Sequence, residues 1–296
     1  MINTNIYGTY ISSFKYYGLA MTDCKRTVFY VSDGTGITAE TLGQTLLTQF
    51  PNYEFEQINM PFVNTTEKAI NAVRTINENA KINCGKPFVF CTIISDKLRE
   101  ELKKSESLFF DFFETFMTPM EKELDAESAH TVGRSHGMSD SKVYLDRMNA
   151  VNYAVDNDDG ITTRHYGNAD IIIVGVSRSG KTPVSLYMAL QYGIRAANYP
   201  LTEEDLDKTT LPSSLEQYRD KIVGLVIDPI RLQKIRFERR PNSRYSSMPQ
   251  CKHEVMAIKK IFKRERINYV DSTAMSIEEI STTIIQNAGL KKSIRK

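Results

Sequence analysis

Gly175-Val176-Ser177-Arg178-Ser179-Gly180-Lys181-Thr182 fits the phosphate-binding pattern G-x-x-x-x-G-K-[ST] at every fixed position. Before it lies Ala169-Asp170-Ile171-Ile172-Ile173-Val174, an apolar, β-branched run that reads as a buried strand. After it, Pro183 to Tyr192 reads as a helix with proline in its first turn. A strand, a glycine-bounded loop and a helix form an anion site. The glycines let the backbone wrap closely, successive N–H groups point inward, and the helix start adds about half a positive charge. On this reading Gly175, Val176, Ser177, Arg178, Ser179, Gly180, Lys181 and Thr182 hold a nucleotide. Lys181 reaches its terminal phosphates and the Thr182 hydroxyl binds Mg²⁺. The reading requires that the loop keep its amides unspent and that Lys181 face an open cleft.

Outward from the loop, strand and helix patterns alternate. Strands are expected at Thr27–Ser32, Phe55–Met60, Pro87–Ile93, Ile194–Tyr199, Lys221–Ile227 and Asn268–Val270. Helices are expected at Ile37–Phe50, Thr65–Asn79, Asp96–Ser105, Ser141–Asp156, Ile230–Arg240, Gln250–Arg266 and Ile277–Ala288. Tyr144, Met148, Val151 and Val155 mark one stripe of the fourth of these helices. Leu108–Phe113 suits either state. Ser276 and Glu279 form a capping box for the last helix, which Gly289 closes. The alternation predicts an α/β fold: a parallel-sheet domain over 21–140, then a phosphate-loop kinase-like domain over 141–296. Met1–Ala20 reads as a disordered extension, with Met21 as an alternative start. Glu121–Asp140 reads as a polar linker or functional loop.

Composition narrows the classes. The chain has 296 residues, 41% hydrophobic and 25% charged, as in soluble globular proteins. Cys24, Cys84, Cys91 and Cys251 are scattered, which fits a reducing cytoplasm and argues against a disulfide framework or zinc site. No apolar stretch is long enough to span a bilayer. The net charge of +2 gives no bulk argument for nucleic acid, although residues 231–296 hold 16 Lys/Arg against 6 Asp/Glu. Most of those are read as solvated helix faces.

Four further places carry chemistry. Asp228, ending the apolar run Ile222–Ile227, is either a Mg²⁺-orienting carboxylate or the cap of the next helix. Asp158 and Asp159 are either a base for an acceptor hydroxyl or a solvated turn with Gly160. Asp33-Gly34-Thr35-Gly36 sits at a strand-to-helix junction, where open α/β sheets bind ligands, and a capping turn explains it nearly as well. Arg239–Ser246, with three arginines, is a candidate phosphate or partner-docking loop. His136 is either catalytic or a surface histidine.

Beyond the loop, several blocks occur in a familiar order. They are Val31–Gly36, Asn157-Asp158-Asp159-Gly160, Ala196-Ala197-Asn198-Tyr199-Pro200, Asn242-Ser243-Arg244-Tyr245 and Ser276–Ile280. With Gly175–Pro183 they resemble the bifunctional regulatory kinases/pyrophosphorylases that control phosphoenolpyruvate synthase or pyruvate, phosphate dikinase. Gln191–Asn198 looks most like the synthase branch. The resemblance implies two activities. One transfers a phosphoryl group from ADP to a threonine of the synthase and inactivates it. The other uses inorganic phosphate to remove that group, releasing pyrophosphate. Lys181, Asp158, Asp159 and Asp228 are the expected catalytic residues, with Thr182 and Asp228 at the metal. Phosphoenolpyruvate synthase is the expected partner, nucleic acid and membrane are not expected, and a homo-oligomer is left open. The loop fits a small-molecule kinase equally well. A nucleic-acid ATPase ranks lower, because the basic third lacks interleaved aromatics.

Overall fold

The computed structural model describes residues 25–82, 85–129, 141–160, 163–208 and 210–290. Residues 130–140 of the polar segment, His136 among them, and the extension Met1–Ala20 lie outside them. The chain divides into two compact units, one up to Gly137 and one from Met138.

The first unit runs β1 (Arg26–Val31), α1 (Ile37–Leu47), β2 (Phe55–Met60), α2 (Thr66–Ile82), β3 (Phe88–Cys91), α3 (Asp96–Leu102), β4 (Leu108–Asp111) and α4 (Phe112–Leu124). Its sheet is parallel throughout, in the order β2-β1-β3-β4. Successive residues of β1 enter opposite cores. Phe29 and Val31 pack with Val89, Ile76 and Leu102, whereas Val28 and Tyr30 pack with Phe90 and Ala39. That two-sided burial is why the strand reads as a continuous apolar run.

The second unit runs α5 (Ser141–Asp156), β5 (Ile171–Gly175), α6 (Lys181–Tyr192), β6 (Ala196–Pro200), α7 (Glu203–Lys208), α8 (Ser213–Glu216), β7 (Ile222–Val226), α9 (Pro229–Arg239), α10 (Met248–Glu265), β8 (Tyr269–Asp271) and α11 (Ile277–Asn287). Its sheet is again parallel, in the order β6-β5-β7-β8. Ile172 and Val174 enter one core and Ile171 and Ile173 the other. The expected α/β class with two parallel sheets is what the chain adopts. The capping box of α11 is formed on both sides, and Gly289 follows with φ 62°.

One local expectation left open is decided, and two need correction. Leu108–Phe113 is split between two states: β4 ends at Asp111, whose side chain accepts from the Glu114 amide at 2.9 Å and so starts α4. This helix contains Pro119 and runs to Leu124, into the segment read as linker. On α5 the buried face is Ala150 and Ala154, packed with Ala189, while Tyr144, Met148 and Val155 of the apolar stripe are exposed. Small residues lie buried between α5 and α6, so side-chain size misdirected the periodicity. The short helices α7 and α8 were not expected.

Candidate functional site: the loop between β5 and α6

β5 ends at Gly175, where the strand order of the sheet reverses, the usual ligand position in such sheets. A Cβ on Gly175 would lie 2.7 Å from the Leu225 carbonyl oxygen and 2.6 Å from Ser179 Oγ, so no larger residue fits without displacing β7. Gly180, with φ 101°, makes the left-handed turn into α6. Arg178 also has positive φ, 72°, which is uncommon for a side-chain-bearing residue and marks a constrained loop.

The loop is polarised by its hydrogen bonds. Its carbonyls are held by surrounding groups. Gly175 O accepts from the Leu201 amide at 3.1 Å, Ser179 O from Ser272 Oγ at 3.0 Å, and Ser177 O from Arg236 Nη2 at 3.0 Å. In contrast, the amides of Ser177, Arg178, Gly180, Lys181 and Thr182 donate to no group among the described residues. Unspent amides at the start of a twelve-residue helix form a concave positive site suited to phosphate.

Lys181 departs from the expected open cleft. It is 4% exposed, and its ammonium donates to the Val176 carbonyl at 3.0 Å, folded into the loop it would serve. Burial pushes its pKa down to about 8, against the pull of the Asp159 and Asp158 carboxylates. An ammonium held in this way is partly desolvated and meets an entering phosphate with little hydration to shed.

The turn after α5 and the strand β6 complete the site. Thr182 Oγ1 donates to Asp158 Oδ1 at 2.9 Å, and Asn198 Nδ2 donates to the same carboxylate oxygen and, at 3.2 Å, to Thr182 Oγ1. Asn198 Oδ1 in turn accepts from the Asp159 amide at 3.0 Å, which fixes Asp159 at φ 54°. Asn198 stands opposite Ile173 in the sheet register, so β6 carries it to the edge of the loop. Asp158 is therefore joined to Thr182, while Asp159 is exposed beside it.

Asp228 behaves as a cap. Its Oδ1 accepts from the Ile230 and Arg231 amides at 2.8 and 3.2 Å, and it makes no hydrogen bond to Thr182. Among the described residues, no group of three or more His, Cys, Asp or Glu is placed to hold a metal. Thr182 and Asp158 nevertheless offer adjacent oxygen ligands of the kind Mg²⁺ takes alongside substrate phosphates.

Behind the loop lies a group that the sequence reading did not single out. Arg236 is fully buried and pairs with Glu254 at 2.6 Å while holding Ser177 O. Its guanidinium lies 4.2 Å from the centre of the Tyr245 ring, and the Tyr245 hydroxyl shares a 2.9 Å hydrogen bond with Ser177 Oγ. Tyr245 belongs to the arginine-rich segment read as a phosphate or partner-docking loop; here it supports the loop between β5 and α6 from within. Arg236 was hidden among the basic residues assigned to solvated helix faces.

The profile of the Kinase/pyrophosphorylase family matches residues 28–285. Three relatives are provisionally named phosphoenolpyruvate synthase regulatory proteins. The one from Stutzerimonas stutzeri (strain A1501) is 51% identical, over 92% of this chain and 100% of its own. Those from Pseudomonas aeruginosa (strain LESB58) and Hahella chejuensis (strain KCTC 2396) are each 52% identical over 92% of this chain, covering 99% and 100% of theirs. With the family's profile matching most of the chain and relatives similar along nearly its whole length, this protein belongs to the kinase/pyrophosphorylase family.

Proposed function

We propose that the chain regulates phosphoenolpyruvate synthase by transferring phosphate to and from it. In one direction a threonine hydroxyl of the synthase attacks the β-phosphorus of ADP. The bond to the bridging oxygen breaks, phosphothreonine and AMP form, and the hydroxyl proton passes to a carboxylate. In the other, an oxygen of inorganic phosphate attacks the phosphothreonine phosphorus, releasing the threonine hydroxyl and pyrophosphate. The observation carrying this reading is the loop's polarity: carbonyls held by protein, amides unspent, with Asp158 and Thr182 joined at its edge.

Each residue then has a task. The amides of Ser177–Thr182 and the helix start bind the phosphates in place. Lys181 exchanges the neutral Val176 carbonyl for a phosphate oxygen, a stronger partner for an ammonium. Thr182 and Asp158 would hold Mg²⁺, which supplies charge neutralisation at the transferring group. Asp159, exposed beside Asp158, is the carboxylate placed to accept the hydroxyl proton, since Asp158 is engaged with Thr182 and Asn198. Asp228 acts indirectly, by capping α9, the helix that carries Arg236.

The test is to incubate the protein and purified synthase with ADP labelled at the β-phosphorus, and separately with labelled ATP. Label should enter the synthase from ADP, require Lys181, and leave as pyrophosphate on addition of inorganic phosphate. Label entering a small metabolite instead would select the small-molecule kinase reading.

A further inference from the structure

One helix suffices to carry a chain from a strand to its parallel neighbour. Between β7 and β8 that helix is α10, whose Val255, Ile258, Ile261 and Phe262 enter the core on one side of the sheet. α9 and the turn Arg244–Ser246 are additional, and the chain sets them beside the loop between β5 and α6. The Asp228 amide, just before α9, donates to Thr273 Oγ1 at 2.8 Å, where β8 has ended. From the middle of α9, Arg236 reaches Ser177 O, and from the returning turn Tyr245 reaches Ser177 Oγ. Inward, then, α9 has clear work: Leu232 enters the core and Arg236 holds the loop.

Its outward face has no such work. Ile230, Lys234 and Phe237 recur at helical spacing and share that face, with Arg231 adjoining it. Ile230 is 55% exposed and Phe237 48%. Arg231 and Lys234 are exposed as well, and among the described residues neither pairs with a carboxylate. Residues 229–246 hold six Lys/Arg against the single acidic Glu238, and only Arg236 and Arg244 of the six have an ion-pair partner among the described residues. Apolar anchors ringed by unspent charge are the make-up of a protein-docking patch. The face is about 16 Å long, more than a nucleotide seated in the loop needs. The cations suit carboxylates or phosphates. Ile230 and Phe237 favour the carboxylates, since apolar side chains that could cover them accompany Asp and Glu on a protein surface and are absent from a phosphodiester backbone.

We propose, resting on the reading that the acceptor is a protein, that the outward face of α9 docks that protein through a surface segment bearing Asp or Glu beside apolar side chains. Arg231 and Lys234 meet the carboxylates, and Ile230 and Phe237 are covered by the apolar groups. Because α9 is tied to Ser177 through Arg236, a protein held on this face is held next to the loop. Binding energy from a surface away from the reacting atoms thus positions the acceptor hydroxyl.

Two double variants of the full chain test it, Arg231→Glu/Lys234→Glu and Ile230→Ser/Phe237→Ser. All four side chains are exposed, so the fold is kept, and circular dichroism checks it. Initial rates of label transfer from ADP to the synthase are measured with each substrate varied in turn. Charge reversal should raise KM for the synthase at least about 10-fold, leave kcat and KM for ADP within about 2-fold, and matter less as NaCl is added. Loss of the apolar pair should raise KM for the synthase about 10-fold at every salt concentration. If the wild type transfers label and KM for the synthase is unchanged in both variants, the docking face is overturned and the transfer reading stands. If the wild type transfers no label to the synthase, both fall. A loss confined to kcat would mark a disturbed loop and overturn the docking face. So would a fall in molar mass from two copies to one with KM unchanged, which would assign the face to a second copy of the chain.

Discussion

Replacing Lys181 by methionine should make the free protein more stable while removing its transfer activity. The wild-type ammonium is 4% exposed, and burial lowers its pKa from 10.5 to about 8. That fall corresponds to about 3 kcal/mol against the charged form in the folded state. Methionine fills a similar volume without charge and loses one hydrogen bond, to Val176 O, worth about 1 kcal/mol. The expected gain at pH 7 is about 2 kcal/mol. Its pH dependence is diagnostic. Below about 8 the lysine is charged in both states and the full burial cost is present. Between about 8 and 10.5 the folded state releases its proton first, so the unfolded state binds more protons and wild-type stability rises with pH. The advantage of Lys181→Met should therefore be full at pH 7 and largely closed by about pH 9.5. Urea unfolding followed by circular dichroism, at both pH values and without nucleotide, measures it in the transition of the second unit. A variant less stable than wild type at pH 7, or a gap unchanged at high pH, would refute the account of Lys181 as a destabilising group kept for its chemistry.

Three further outcomes follow from the same geometry. Nucleotide binding at pH 8.5 should take up a proton, because phosphate favours the charged form of Lys181; calorimetry in buffers of different ionisation enthalpy should detect the uptake, and it should vanish near pH 6.5. Asn198→Ala, which releases Asp158, Thr182 and the Asp159 amide together, should lower the transfer rate by about 10–100-fold with little change in nucleotide affinity. Arg236→Met strands the buried Glu254 carboxylate and should cost about 3–5 kcal/mol in urea unfolding, much of which the double variant Arg236→Met/Glu254→Met should restore.

Much of the site was legible because its chemistry is local. A glycine where Leu225 O crowds the chain, a glycine at φ 101° and a lysine at the helix start must sit at fixed spacing within eight residues, and a fixed spacing can be read from sequence. Asp158 and Asp159 stood out as a turn with two carboxylates, but their partner could not be read. The bonds from Asn198 cross 39 to 40 residues and exist only because β6 lies beside β5. Asp228 had two local readings, and the Ile230 and Arg231 amides satisfy the capping one. Arg236 was not legible, since its sequence neighbours do not distinguish a buried arginine from the exposed ones around it.

By itself, then, the sequence determined the alternation of strand and helix, the parallel α/β class and the position of the glycine-bounded loop between β5 and α6. Each of these follows from side-chain period or from backbone freedom over a few adjacent residues. Only the tertiary structure decided which carboxylate joins Thr182, that Lys181 lies folded onto Val176, and that Arg236 and Tyr245 support the loop. Those are matters of burial and of long-range hydrogen bonding, which take effect once the sheet has brought distant segments into register.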